Sequence, residues 1–296
     1  MLRRLGDRLN FTRGLGFRLG ALLSIAILPL GLISLIQNLN LVREAERSAE
    51  IALMGRTASA ASGERALLQG ALGSAEALGP AVLETMDRPD DCSQLMRNFI
   101  EGGATYVHAG FVGVDGFSSC HSSFAEHGVP ADLRESAAFR TFMAAPGTLV
   151  TSIPRGMISG RSVVLVMQPF YNDGKLLGYI SMSLTHELLQ STHAMTYATE
   201  GARIVTFNHR GEILTADGED STPDAILPRD TGLIDLLSRT ETSFRAVSGS
   251  GEQRAFSVVP VLPGLVYALG SWSPNNVGLG LFQMSRFNAV IIPVAL

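Results

Sequence analysis

Three short stretches carry side chains whose types could do chemistry, and none has the spacing that chemistry needs. His186-Glu187-Leu188-Leu189-Gln190 opens like a zinc-protease helix, but Gln190 stands where the second metal-binding histidine belongs. Gly249-Ser250-Gly251 lacks the flanks of a nucleophile elbow and reads as a hairpin turn. His121 beside Ser122 and Ser123 has no acidic partner at a spacing that would orient the imidazole. No phosphate-cradling glycine loop ending in Lys-Ser or Lys-Thr occurs, and Lys175 is the sole lysine. Cys92 and Cys120 lie too far apart in sequence for a short-spaced zinc knuckle. The residues therefore imply no enzyme, no metal and no cofactor, and His186 is expected on an exposed helix face.

Binding is the chemistry that the residues do allow. Arg140, Arg155 and Arg161 cluster around one stretch, and a guanidinium fork pairs bidentately with carboxylate or phosphate. Tyr106, Phe111, His121, Phe142 and Tyr171 could wall a mostly apolar pocket beside them. These eight residues are the candidate ligand set, for an unknown small molecule that convergent arginines would make anionic. The plain alternative is that each arginine is a solvated surface residue and that Phe111 is core.

Charge and hydropathy say where such a pocket would work. Leu19–Ile36 holds no charged residue, and eighteen helical residues at about 1.5 Å each span roughly a bilayer core. Arg3, Arg4, Arg8, Arg13 and Arg18 precede it against one acid, Asp7. The positive-inside rule then keeps residues 1–18 cytoplasmic and sends the chain outward through an anchor at 19–38. A cleaved signal peptide is the rival, but Gln37-Asn38-Leu39-Asn40 offers no small-x-small site. Asp7 is the only acid outside residues 39–276, which leaves 26 of the 27 acids there. With five arginines in the tail and Arg286 beyond it, 17 of the 23 bases remain, a net charge of −9. An acidic external region excludes nucleic acid as a partner. Two cysteines in an oxidising compartment read either as a disulfide or as two unrelated small core residues.

Residues 39–86 are rich in helix formers and suggest a long juxtamembrane helix. Leu53, Ala60, Leu67, Ser74 and Ala81 recur every seven residues, with Thr57, Glu64, Ala71 and Leu78 offset by four. Such a stripe serves either a dimer seam or packing on the chain's own domain. The period then changes to that of strands. Tyr106–Val114 and Phe117–Ser123 flank Asp115-Gly116, a hairpin signal. A helix around Leu133–Met143 and strands at Thr148–Ile153, Val163–Phe170 and Leu176–Leu184 follow, then a helix at Thr185–Tyr197. Strands at Ala202–Phe207 and Glu212–Thr215, a helix at Ile226–Leu237, and strands at Phe244–Val247, Gln253–Val259 and Leu265–Trp272 repeat the series. Val166–Phe170 matches Ser257–Val261, and Gly178 matches Gly270, at an offset of about 90–95 residues. The fold class is α+β, with modules at 87–198 and 199–276. Residues 277–296 are again apolar and suggest the start of a returning membrane segment, or else an amphipathic tail on the membrane surface.

The order anchor, long helix, two hairpin-bearing α+β units and returning apolar segment resembles the double Cache sensor of bacterial receptors. The resemblance covers residues 39–276. It is carried by Phe139-Arg140, Ser162-Val163-Val164-Leu165, Pro169-Phe170 and Gly178, and by Tyr106 through Asp115-Gly116 to Cys120. It is nearest to the sensor regions of alphaproteobacterial histidine kinases, and it implies PAS-like antiparallel modules in the periplasm that bind a small molecule in the membrane-distal module and signal as homodimers. Diguanylate cyclases and chemoreceptors carry similar modules, and a stand-alone anchored binding protein is a further alternative. In the amino-acid-binding members an Arg is followed by a Trp-Tyr pair. Here Arg140 is followed by Thr141-Phe142-Met143, which puts an amino-acid ligand in doubt.

Overall fold

The computed structural model describes residues 15–103, 105–124, 129–158, 160–197, 202–216 and 223–273. Residues 277–296, expected to begin a second membrane segment, lie outside them. Helix α1 (Leu15–Ala60) lies up to Ala49 in one compact unit, and Glu50 to Trp272 belongs to a second. Within the first unit the large apolar side chains Leu19, Leu22, Ile25, Leu28, Leu32, Ile33 and Ile36 are all exposed. So many exposed apolar side chains are unfavourable in water and suit a lipid surrounding.

In the second unit α1 runs into α2 (Ser62–Thr85) with a one-residue interruption at Ala61, across which Arg65 N still donates to Ala61 O. By length and composition α2 could also cross a membrane. Its packing shows a core helix instead: Glu64, Leu68, Ala71, Ala75, Leu78 and Val82 are buried at three- and four-residue steps. Thr57, Leu53 and Ala60 continue that buried stripe on α1. Six of the nine heptad positions are thus buried within the chain's own second unit, and Leu67, Ser74 and Ala81 are half-buried. Helix α3 (Pro89–Glu101), which periodicity did not mark, follows with Pro89 at its first turn.

The first module is a five-stranded antiparallel sheet. Its strands are β1 (His108–Gly113), β3 (Cys120–His121), β5 (Leu149–Ile153), β6 (Val163–Asn172) and β7 (Lys175–Thr185), in the order β3-β1-β7-β6-β5. The stretch expected as one strand at Phe117–Ser123 is divided at Ser119. β2 (Phe117–Ser118) pairs with β4 (Ala131–Asp132), while β3 pairs with β1. Ser118 Oγ donates to Phe111 O at 2.6 Å, and Cys120 is bonded to Cys92 of α3 with 5.1 Å between Cα atoms. Helix α4 (Ala137–Ala144) is capped by Ser136, whose Oγ accepts from Phe139 N. β6 and β7 meet at Asp173-Gly174, both at positive φ, the two-residue turn that matches strand twist.

Helix α5 (His186–Tyr197) leads to the second module, with β8 (Arg203–Asn208), β9 (Ile213–Ala216), α6 (Pro223–Ile226), α7 (Leu233–Leu237), β10 (Thr242–Val247), β11 (Gln253–Leu262) and β12 (Val266–Trp272). The single helix expected over Ile226–Leu237 is two short ones. Pro228 disfavours helix at Leu227, and Gly232 starts α7 afresh. The sheet order β10-β11-β12-β8-β9, read backwards, is the connectivity of the first sheet strand for strand. The two glycines matched in sequence are not equivalent in register: Gly178 directly precedes Tyr179, the partner of Pro169, whereas Gly270 stands three residues beyond Tyr267, the partner of Pro260. A Cβ at Gly178 would fall 1.9 Å from Val112 O, at φ +154°. One at Gly270 would fall 2.1 Å from Thr57 Oγ1, the hydroxyl that accepts from Trp272 Nε1 and pairs with Ser257 Oγ.

Candidate functional site

Strand alternation sorts the first sheet into two faces. Phe111 packs edge-on against Phe170, which touches Gly79 of α2, so that face is helix-covered core. The other face turns His108, Val112, Leu165, Tyr179, Ser181 and Ser183 toward α4 and the β5–β6 loop. Between them lies a cavity of about 370 Å³. Val112, Leu133, Ile153, Met157, Ile158, Val163 and Leu165 supply its apolar wall. Hydroxyls come from Ser136, Thr141, Thr151, Ser152, Tyr179, Ser181 and Ser183, and charged groups from Arg155, Arg210 and Glu212.

The second module closes this cavity. The β8–β9 turn is tied by Asn208, whose Oδ1 accepts from the backbone N of Arg210 and Glu212, each at 3.0 Å. Asn208 Nδ2 donates across to Val150 O at 2.9 Å and to Glu212 Oε2 at 2.7 Å. Thr151 Oγ1 donates to Glu212 Oε2 at 2.7 Å, and an Arg210 terminal nitrogen lies 2.7 Å from Glu212 Oε1. Burial alone would raise the Glu212 carboxyl. Hydrogen bonds from Thr151, Arg210 and Asn208, with the Arg210 charge, outweigh it and hold the group below its ordinary value.

His108 is buried at the base of the cavity, its Nδ1 3.3 Å from Ser122 Oγ. Burial, with His121 nearby, pushes its pKa down to about 3, so the imidazole is neutral. Burial also raises the Tyr179 phenol, which stays protonated. Ser152 Oγ sits 3.0 Å from His186 Nε2, and Ser162 Oγ 3.0 Å from His186 Nδ1. His186 is therefore half-buried between two serines and not the exposed helix residue expected. Gly249-Ser250-Gly251 makes the β10–β11 turn.

Of the eight candidate residues, the structure brings Arg155 to the cavity. His121 is buried and lines a smaller adjoining pocket of about 210 Å³ that shares Leu133, Met157 and Ile158 with it. Phe142 is core behind the wall, its ring 4.7 Å from that of Tyr179. Phe111 points to the opposite face. Tyr106 stacks on Phe99 and reaches toward Ser74 of α2. Arg140 is exposed and pairs with Glu135 at 3.2 Å. Arg161 and Tyr171 are exposed and lie off the cavity lining. Sequence reasoning missed Arg210 and Glu212 because they lie in the other module's hairpin. It missed Ser181 and Ser183 too, although their alternation with Ile180, Met182 and Leu184 marks one polar-lined face.

In the second module the corresponding sheet face is covered, and the hollow beside it, about 770 Å³, is an open groove along Asp224 to Leu233 and Gly249 that no strand residue lines. Phe207, Phe256, Val258, Leu269 and Leu236 are all buried there, with Phe244 stacked on Phe256 and Tyr267 on Phe207. With Pro169–Tyr179 and Pro260–Tyr267 as matching pairs, the strand corresponding to β7 carries Leu269 where β7 carries Ser181.

No protein-family model matches the chain, and no curated protein matches it. Solved structures do. The extracellular domain of the proposed histidine kinase rpHK1S-Z16 superposes with a TM-score of 0.57 at 16% identity, over 76% of this chain and 94% of that one. The ligand-binding domain of the Pseudomonas aeruginosa PAO1 amino-acid chemoreceptor PctB, in complex with L-Gln, gives 0.55 at 17%, over 81% and 97%. That of the Campylobacter jejuni chemoreceptor Tlp3, in complex with L-valine, gives 0.54 at 14%, over 81% and 97%. The chain shares the two-module fold of these sensor domains.

Proposed function

We propose that this chain is the extracytoplasmic sensing region of a bacterial membrane receptor, which binds a small molecule in its first module and passes the event to α2 and α1. The observation that carries this reading is the contrast between modules. One topology is used twice, but aromatic and leucine side chains fill the second sheet's face and small hydroxyls hollow out the first. A packed interior does not keep such a hollow without reason, and its volume lies in the range of small-molecule sites. The neighbours support the reading, since two of them hold an amino acid. They comprise kinase and chemoreceptor domains alike, so the reading concerns the sensor and names no output module. The apolar run Leu19–Ile36, helical throughout, is the proposed anchor, with 39–276 in the periplasm.

The full chain in detergent, screened by thermal unfolding against a broad metabolite panel, tests this. We expect at least one compound to raise the Tm, and Ser181→Trp, which fills the cavity, to abolish that rise. A compound that stabilises wild type and Ser181→Trp equally would overturn the first-module site.

A further inference from the structure

The cavity's charged groups come from both modules. Arg155 belongs to the first, and Arg210 and Glu212 reach in from the β8–β9 turn of the second. Arg210 is only partly used. A terminal nitrogen pairs with Glu212 and lies 3.4 Å from Thr151 Oγ1, while its Nε is buried and has no hydrogen-bond partner among the described residues. A buried guanidinium N–H left without an acceptor is costly, and the group that relieves it is a hydrogen-bond acceptor, best a charged one. The sum of charges agrees. Two arginines against Glu212, with His108 and Tyr179 neutral, leave the lining at +1, which suits a single negative charge. The aliphatic wall of Val112, Leu133, Ile153 and Leu165 suits an apolar body beside it.

We propose that the site is a composite of the two modules and takes a small monocarboxylate with an apolar body, whose carboxylate docks on Arg210 of the second module. This rests on the sensor reading above and extends it. A ligand held by the first module's wall and the second module's arginine joins them directly. It competes with Glu212 for Arg210, and so acts on the Thr151–Glu212 contact that links the modules in the structure. The signal then needs no separate relay from one module to the next.

The test uses the full chain in detergent and calorimetric titration with four probes, butyrate, 3-methylbutyrate, hexanoate and benzoate, each beside its neutral amide. We expect a carboxylate to bind and its amide not to. Arg210→Gln should weaken carboxylate binding about 10- to 150-fold, the range for one charge-assisted hydrogen bond. Arg140→Ala, on the exposed face of α4, should leave it unchanged. Arg210→Lys, which keeps the charge and loses the fork, should recover part of the affinity and guard against a folding defect in Arg210→Gln. Carboxylate affinity equal in wild type and Arg210→Gln overturns the composite site. Absence of carboxylate binding at millimolar concentration overturns the ligand class. Should amides or amines bind instead, and lose affinity in Ser181→Trp, the sensor reading stands while this inference falls.

Discussion

Glu64 Oε2 and His193 Nε2 lie 2.7 Å apart, and neither side chain exposes any surface. Thr206 and Thr215, on β8 and β9, donate to the same carboxylate at 2.9 and 3.2 Å. One buried group thus joins the long helix α2, the inter-module helix α5 and the second sheet. Gly63 lets the two helices meet: a Cβ there would fall 2.7 Å from Thr192 of α5. At its other end α5 begins with His186, bonded to Ser152 in the cavity wall. A rigid element therefore runs from the cavity to the helix that leads to α1.

Removing one partner of a buried, hydrogen-bonded pair strands the other, at a cost of about 3–5 kcal/mol. His193→Ala and Glu64→Ala are each expected to destabilise by that amount in urea unfolding of the full chain. Glu64→Leu with His193→Leu should cost less than the sum of the singles, because neither polar partner is then left facing an apolar one. Singles within experimental error of wild type would show that the pair does not bear on stability.

His108 gives the fold a pH dependence of defined sign. Its folded pKa, about 3, lies below the ordinary imidazole value of 6.5, so the unfolded chain takes up a proton that the folded chain refuses. The corresponding stability is present above about pH 6.5 and is lost as pH falls toward 3, at about 1.4 kcal/mol per pH unit in between. Other groups titrate in the same range, so the comparison is between wild type and His108→Gln. The variant's stability curve should fall less steeply from pH 6.5 to 4, and parallel curves would remove the assignment to His108.

The Cys92–Cys120 bond ties α3 to the edge strand β3 across 28 residues of sequence. In the chain-entropy model, closing such a loop stabilises by about 3–4 kcal/mol. At about 2–4 °C per kcal/mol for a unit of this size, Cys92→Ala with Cys120→Ala should lower the Tm by about 6–16 °C. Dithiothreitol should produce the same shift in wild type and none in the variant.

The strands were legible because two-residue alternation is a local property. Ile180, Met182 and Leu184 alternating with Ser181, Ser183 and Thr185 show it, and Asn172-Asp173-Gly174 fixes the turn between β6 and β7. The repeat was legible for the same reason, through Pro169-Phe170 and Pro260-Val261. Helix α3 was not, because Pro89-Asp90-Asp91 reads as a turn until Pro89 is seen in the first turn of a helix. The pocket was mostly hidden, since Arg210 and Glu212 meet Thr151 across about sixty residues and a module boundary. Nearness in sequence pointed to Arg140, but its helix phase puts it outward beside Glu135. Phe111 illustrates parity: its neighbours His108, Gly110 and Val112 share the cavity face, and one step along the strand places Phe111 behind it.

The last prediction concerns the side of the membrane on which all this chemistry takes place. Arg3, Arg4, Arg8, Arg13 and Arg18 against Asp7 form a strongly cationic flank directly before Leu19–Ile36. Positive flanks are retained on the cytoplasmic side, so the chain beyond the helix is expected outside. A disulfide and an acidic surface fit that compartment. Alkaline phosphatase fused after Gly160, a positive-φ loop glycine with open space around it, should therefore be active, and β-galactosidase fused there inactive. Replacing the five arginines by glutamine should lower phosphatase activity in the same fusion by weakening the orientation signal. The reverse pattern of reporters would place the cavity in the cytoplasm and overturn the periplasmic assignment.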